Sequence, residues 1–411
     1  MFYGWYIVIA AGLLYFYYGG AILYGFTSLF NPIAAETGWS YTHLSLASSV
    51  RGIEAALLAP LVGVLADRWG PRRLIFCGVI AVGLGLFLLS RATSLVLFYA
   101  AFAVVTLGFA GMSPTVLFVA VVHWFRRRLG KALAVVTASA GCSGSMIPLL
   151  TGLIDAYGWR TVVLFLAGGM WALGVPLSLV FRHRPESYGY RPNGGEEAFP
   201  DGSDNLAGQG EMGLRQALKA RRFWQIAFAF ALQMMATGAL IIHVMPYLDS
   251  LGIPRSTASL VAMVIPLLSV AARLGFGWLV GHLQTKYLAG MAIGLLAVGL
   301  LNFAFLSHSR WLLALFLLSF SAGYGGVFVI RPALIREQFG TRAFGAIYGV
   351  TDSIMVLGAI LGAPLAGWVF DMRGMYHPIW LIFTGNLLLA SLLISTIPSI
   401  ADGADKKSAP A

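Results

Sequence analysis

Apolar residues run along this chain in twelve long stretches separated by short polar segments, with little of the alternation that marks a half-buried helix or strand. The stretches fall near 5–30, 44–66, 73–91, 94–122, 130–154, 160–181, 223–248, 256–281, 286–306, 310–335, 343–370 and 377–399. A helix rises about 1.5 Å per residue, so about 20 apolar residues cross the hydrocarbon of a bilayer. The pattern predicts an all-α membrane protein of twelve transmembrane helices. One long hydrophilic segment, 182–222, interrupts it and is rich in Gly, Pro and charge. It divides the chain into an N-terminal six-helix bundle over 1–181 and a C-terminal one over 223–400, with a short polar tail at 401–411 that is expected to be unstructured.

Composition supports a lipid solvent. Hydrophobic residues make up 59% of the chain and charged ones only 10%, against roughly 25% charged in soluble domains. The 49 glycines suit a bundle in which helices must approach closely without a hydrophobic drive between them. A net charge of +11 raises the question of nucleic acid, and the distribution of Lys and Arg answers it. With both termini cytoplasmic, the inside segments hold Arg68, Arg72, Arg73, Arg126, Arg127, Arg128, Lys131, Lys286, Arg336 and Arg342, the basic residues of the 182–222 linker, and Lys406 and Lys407. The outside loops hold only Arg91, Arg160, Arg255, Arg310 and Arg373. That asymmetry is the positive-inside pattern of an inner-membrane protein, so no nucleic-acid partner is expected. No Lys or Arg precedes the first apolar stretch, which is also too long for a signal-peptide core. Cys77 and Cys142 both fall in apolar spans, with no metal or disulfide spacing, and read as small buried hydrophobes.

An internal repeat recurs every three spans. Span two ends Gly63-Val-Leu-Ala-Asp67-Arg68-Trp-Gly70, span five Gly152-Leu-Ile-Asp155-Ala-Tyr-Gly158, and span eleven Gly367-Trp-Val-Phe-Asp371-Met-Arg-Gly374. Span eight ends in a degenerate copy, Gly275-Phe-Gly-Trp-Leu-Val-Gly281, that lacks the acid. Successive copies face opposite sides of the membrane. Nested three-helix inverted repeats are the internal symmetry of many secondary transporters, which bind substrate near the midplane.

With its continuation Pro71-Arg72-Arg73, the copy at Gly63–Gly70 resembles the loop between helices two and three of the major facilitator superfamily, Gly-x-x-x-Asp-Arg-x-Gly-Arg-Arg/Lys. Trp124-Phe-Arg-Arg-Arg128 followed by Gly130-Lys-Ala-Leu, Gly141 and Gly144, and the opening Gly4-Trp5 with Gly38-Trp39-Ser40, resemble the monocarboxylate transporter branch and its bacterial relatives, including oxalate:formate antiporters. The resemblance covers essentially the whole chain. It implies a major facilitator fold, and it implies that Asp67, Arg68, Arg72 and Arg73 belong to a cytoplasmic gate. In that family helix ten lines the cavity with helices one, four and seven, which implies substrate roles for Tyr324 and Phe328. Leu23 and Tyr24 follow by family position alone. Two departures count: span one reads Ala21-Ile-Leu23-Tyr24-Gly25 with no lysine, and Ser269 stands where proton-coupled animal members carry an acid. Proton coupling therefore does not follow from the resemblance.

Ionisable groups inside hydrocarbon cost about 2.5–3.5 kcal/mol each on insertion scales and are functional candidates by default. Arg273 lies about 12 Å and Asp352 about 14 Å from the inner ends of spans eight and eleven. A guanidinium stays charged and grips a carboxylate with two hydrogen bonds, so Arg273, which also matches the branch's helix-eight arginine, is the expected anion receptor. A structural pair with Asp352 is the plainer alternative. Asp352 reads as a proton-coupling carboxylate that neutralises Arg273 until protonated, as a static ion-pair partner, or as a contact for a cationic or zwitterionic substrate. Arg51 and Glu54, three apart on span two, read as an outer gate or a local salt bridge. Arg331, near the inner end of span ten, reads as snorkelling to the interface. His243, just before Met245-Pro246, is either a satisfied hydrogen-bonding residue or a substrate or proton site. Tyr324 and Phe328 share a face of span ten and, with Tyr376 at the outer start of span twelve, read either as substrate contacts or as core and belt aromatics.

No Walker loop, metal-ligand cluster or nucleophile–base pair is evident, so neither an enzyme nor a cofactor is expected. The function expected is secondary transport of small monocarboxylates such as lactate or pyruvate, by a monomer working with protons through alternating access. Exchange of organic anions or carriage of dicarboxylates is the alternative within the class. A sensor of transporter fold is the alternative outside it, and the chain shows no sizeable output domain.

Overall fold

The computed structural model describes residues 2–24, 26–39, 54, 57–125, 128–189, 211–306, 309 and 311–398, and every regular element among them is helical. α1 (Tyr3–Tyr18) runs into a π-helix (Gly19–Tyr24) and is followed by α2 (Phe26–Thr37). Then come α3 (57–69), α4 (Pro71–Ser90), α5 (Leu95–Gly111), α6 (Pro114–Trp124), α7 (Leu129–Cys142), α8 (Met146–Tyr157) and α9 (Trp159–Val180). After a short α10 (Leu214–Lys219) follow α11 (Arg221–Ser250), α12 (Arg255–Leu279), α13 (Thr285–Ala304), α14 (Trp311–Phe339), α15 (Phe344–Arg373) and α16 (His377–Ser395). Ten helical stretches among the described residues are long and apolar enough to cross a membrane. α1 with α2 lies in the first predicted run, and α3 covers the described part of the second.

Among the described residues, three predicted spans are not continuous α-helix. The fourth breaks at Met112-Ser113, where Pro114 lacks the N–H that would continue the ladder and instead starts a new helix. The fifth carries a 3-10 turn at Ser143–Ser145, and the first carries the π-helix. The last two irregularities face each other: a Cβ on Gly19 would collide with the Ser143 hydroxyl and one on Gly20 with the Met146 sulfur. Cys77 and Cys142 are exposed rather than buried. In a bilayer the outer surface of a bundle meets lipid tails, so an apolar side chain there needs no protein cover.

The repeat has a backbone counterpart. Gly70, Gly158 and Gly374, which close the three acid-bearing copies, have φ of 82°, 77° and 66°. Gly281, in the degenerate copy, is not among the positive-φ glycines of the chain. A left-handed residue stops a helix sharply, and glycine takes it without a Cβ penalty.

The chain forms two compact units. The first comprises Met1–Arg128, Val135–Glu197 and Tyr348–Val350. In it α4 and α5 meet backbone to backbone, so that a Cβ on Gly78 would stand 2.6 Å from the Gly108 carbonyl oxygen. At one end Glu36 accepts from Arg160 Nε (2.7 Å) and Trp159 Nε1 (2.5 Å), while Arg160 also donates to the Ser90 carbonyl (3.0 Å). This ties the end of α2 to the starts and ends of α9 and α4. At the other end Trp124 donates to the Arg182 carbonyl (3.0 Å), and Arg182 lies 4.1 Å over the Tyr3 ring.

The second unit comprises Leu129–Ala134, Ala198–Ile347 and Thr351–Ala411. Glycines again set its helix spacing. Gly325 of α14 meets the Ser269 carbonyl of α12, and Gly358 and Gly362 of α15 meet the Ala231 and Met235 carbonyls of α11. Glu211, just before α10, accepts from Thr341 N (3.2 Å), the Thr341 hydroxyl (2.8 Å) and Arg342 N (2.7 Å), which fastens the linker's end to the turn between α14 and α15.

Two predictions follow from these contacts. Gly325→Ala forces α12 and α14 apart and should destabilise the protein by about 1–3 kcal/mol, whereas Gly275→Ala, in open space on α12, should be neutral or stabilising. Thermal melts of the detergent-purified proteins followed by size-exclusion chromatography would compare them. Glu36 lies beyond the first apolar run, and its hydrogen bond from Arg160 holds the carboxyl below its ordinary 4.5. Its contribution is therefore complete above pH 4.5 and is lost as the pH falls through the lowered value. Glu36→Gln should remove that acid-side loss while costing about 0.2–1 kcal/mol at neutral pH, as befits an exposed pair; melting temperature against pH checks both.

Candidate functional site

The close approach at Gly325 is what presents Arg273. With α14 drawn against α12 at Ser269, the Arg273 guanidinium comes to lie 4.6 Å over the ring of Phe328, one turn further along α14. Arg273 is 4% exposed. Phe328 is flanked edge-on by Tyr324 at 5.1 Å, and Tyr324 stacks on Phe320 at 6.2 Å. A guanidinium held over an aromatic face keeps its full charge and its forked donors, and the ring's negative face offsets part of its desolvation. The structure thus joins Arg273 to the Tyr324–Phe328 pair, which the sequence put forward separately from it. Ser269, buried beside them, donates its hydroxyl to the Pro266 carbonyl at 2.6 Å.

Asp352 does not pair with Arg273. Its partner is Arg331, whose Nη1 lies 2.8 Å from Asp352 Oδ1 and also reaches the sulfur of Met355, one turn along α15. Arg331 therefore does not snorkel. Its side chain is 9% exposed and that of Asp352 27%. The physical reason is that a carboxylate at the same depth satisfies the guanidinium better than a long reach to the interface. The signal was present in the sequence. α14 ends at Phe339 and α15 starts at Phe344, so Arg331 lies 339 − 331 = 8 residues before the turn and Asp352 lies 352 − 344 = 8 residues after it. On antiparallel neighbours both stand about 12 Å from the turn.

His243 and Tyr376 come together in a second cluster. His243 Nε2 lies 3.0 Å from the Ala363 carbonyl, which can only accept, so Nε2 carries the proton. Nδ1 lies at hydrogen-bond distance, 3.1 Å, from the Tyr376 hydroxyl. Tyr376, at the head of α16, is stacked on Phe370 at 4.3 Å, with Trp380 and Tyr247 within 5.8 Å. Burial, and then the Asp371 carboxylate, push the Tyr376 phenol up, so it stays a donor at neutral pH. This cluster links α11, α15 and α16.

The remaining candidates divide. Leu23 and Tyr24 belong to the π-helix of span one, but their side chains lie outside the described residues, as does Arg51 altogether. Glu54 accepts a hydrogen bond from the Thr106 hydroxyl of α5. Asp67 and Arg68 near the end of α3 and Arg72 and Arg73 at the start of α4 flank the left-handed Gly70; the three arginines are exposed and Asp67 is half-buried. Among the described residues no group of three or more His, Cys, Asp or Glu is placed to hold a metal.

Rat monocarboxylate transporter 12 is 24% identical over 395 residues, covering 90% of this chain and 79% of that protein. Rat monocarboxylate transporter 13 is 23% identical over 424 residues, covering 96% and 89%. Among solved structures, the proton:xylose symporter XylE superposes with a TM-score of 0.73 at 15% identity over 96% of each chain. The human organic anion transporter MFSD10 does so at 0.67 and 15%, over 96% of this chain and 97% of that one. At those identities the structures bear on fold alone. A profile of the Major Facilitator Superfamily matches residues 8–363, and with that span of the sequence matched and its fold shared, the chain belongs to the Major Facilitator Superfamily of transporters.

Proposed function

We propose that the protein is a secondary active transporter of small monocarboxylates, of the size of lactate or pyruvate, that carries its anion together with a proton by alternating access. The observation that carries this reading is the buried Arg273 guanidinium over Phe328. It offers a carboxylate two charge-assisted hydrogen bonds, and the adjoining Phe328 and Tyr324 offer an apolar surface and a phenolic donor for the rest of a small organic acid. The second guanidinium of the unit's interior, Arg331, is neutralised by Asp352. A single guanidinium stands beside the Phe328–Tyr324 pair, and one guanidinium matches one carboxylate better than two, which favours monocarboxylates over dicarboxylates. The names of the relatives point the same way. The basic segments at 68–73, 126–131, 182–222 and 336–342 support cytoplasmic termini in an inner membrane.

Uptake of radiolabelled L-lactate into liposomes holding the purified protein, with and without an inward proton gradient, tests it. Arg273→Gln should raise the half-saturating concentration roughly ten- to a hundredfold, the value of a hydrogen-bonded contact to a charged group. Arg273→Lys, which keeps the charge but not the fork, should recover only part of that. Folded wild-type protein that takes up no L-lactate or pyruvate under a gradient, or an Arg273→Gln variant with wild-type kinetics, overturns the reading.

A further inference from the structure

At the basic end of the second unit a cavity of about 560 Å³ lies where the start of α11 meets the end of α16. Arg221, Arg222 and Gln225 line it from α11, Thr396 and Pro398 from the end of α16, and Met212 and Ala220 complete it. Its volume falls within the range of about 300–1,000 Å³ typical of small-ligand sites. We infer that this cavity is a binding site for the phosphate headgroup of an anionic phospholipid, held by Arg221 and Arg222, with the acyl chains running along the lipid-facing residues of α11 and α16. The inference needs only that the chain spans a membrane and does not rest on the transported substrate.

Charge carries the first half of the reasoning. Arg221 is exposed and Arg222 half-buried. Among the described residues neither forms an ion pair. Arg222 instead donates to the Met212 sulfur at 3.1 Å and lies 5.3 Å over the Phe339 ring. Those contacts orient the guanidinium and leave its charge in place. Glu211, the carboxylate next to Met212 in the chain, is already engaged by Thr341 and Arg342. Two forked guanidiniums match the oxygens of a phosphate ester, and Gln225 brings an amide to the same lining. The first N–H groups of α11, which have no acceptor within the helix, add the positive end of its dipole there. The Thr396 hydroxyl is engaged by the Leu393 carbonyl at 3.0 Å. Lys286, 8% exposed, donates to the Ile397 carbonyl at 3.2 Å and so holds the wall formed by Thr396 and Pro398.

Position decides between a lipid and a soluble phosphate. Trp224, next to the lining on α11, and Tyr287, next to Lys286, are both exposed, as aromatic residues at headgroup depth are. The Trp224 indole donates to the Leu218 carbonyl at 2.9 Å, which folds α10 back onto the start of α11. From the cavity inward the same helix faces turn apolar. Phe228 shares a face with Arg221 and Gln225, and Leu389 and Leu392 share one with Thr396; all three apolar side chains are exposed. α11 and α16 pack against each other, so these side chains flank a path for acyl chains next to the two arginines. A free phosphate would leave Met212, Ala220, Pro398 and this path without a partner. A phospholipid meets both, and basic pockets between helices at the face of a membrane suit acidic headgroups.

Native mass spectrometry of the purified, delipidated full-length protein, titrated with dioleoyl phosphatidylglycerol or dioleoyl phosphatidylcholine, tests the site. The anionic lipid should bind at least about tenfold more tightly than the zwitterionic one. Arg221→Gln should weaken phosphatidylglycerol binding roughly fivefold and Arg221→Gln/Arg222→Gln roughly thirtyfold, the effect of one and two cations at a membrane surface. Arg221 is exposed, so the single variant tests the site even where loss of the Arg222 contact with Phe339 unfolds the double one. Arg215→Gln/Arg342→Gln removes the same charge from exposed positions outside the cavity and should keep the preference for phosphatidylglycerol. Equal binding of the two lipids by wild type, unchanged binding in Arg221→Gln, or an equal loss in Arg215→Gln/Arg342→Gln would overturn the inference. Inorganic phosphate and glycerol 3-phosphate separate the sources. Displacement of phosphatidylglycerol by either at comparable concentration overturns the lipid assignment in favour of a soluble ligand, and failure to displace it supports the lipid. Asp402→Asn/Asp405→Asn should leave lipid binding unchanged; a tighter complex would show the tail's carboxylates on the arginines and overturn the assignment.

Discussion

An arginine in a transmembrane helix cannot shed its charge, and lipid cannot solvate it, so the bundle must answer each one from within. Arg331 is answered by Asp352 at 2.8 Å, and Arg273 meets the ring of Phe328. These answers differ in kind. A carboxylate removes the charge from the electrostatic balance, whereas a ring softens the cost of burial and leaves the charge in place. Much of the chemistry that this fold can perform follows from that difference.

Neither arrangement would exist without the glycines. Side chains reach one another here because backbones are allowed to touch: Gly325 lets α14 lie on the Ser269 carbonyl, and this proximity brings Phe328 beneath Arg273. Gly358 and Gly362 do the same for α15 against α11, setting the depth at which Ala363 accepts from His243. In lipid the drive for such contacts is packing, not water exclusion. A single methyl at these positions therefore acts on the functional groups through helix spacing rather than through chemistry.

The span count was legible because hydrocarbon imposes its thickness directly on the sequence. The repeat was legible too, and the structure adds that its closing glycines at 70, 158 and 374 are left-handed while Gly281 of the degenerate copy is not. What was not legible depended on neighbours. The π-helix at Gly19–Tyr24 and the 3-10 turn at Ser143–Ser145 lie against each other, and no local propensity announces a pairing between segments so far apart. Cys77 and Cys142 were misread as buried because apolar side chains face protein and lipid alike. The Arg331–Asp352 pair follows from equal distances to one turn between antiparallel neighbours, which the depth of each helix taken alone does not reveal.

α15 shows why an ion pair can change state without the unit coming apart. Its attachment to α11 runs through Gly358 and Gly362, where the contact is steric and indifferent to charge. Its attachment to α14 includes the Asp352 carboxylate and the Met355 sulfur, both meeting one guanidinium. Removing the charge of Asp352 would therefore act on the second attachment and leave the first, which is steric, in place. Helix spacing on one side of α15 and side-chain charge on the other are in this way set by separate contacts.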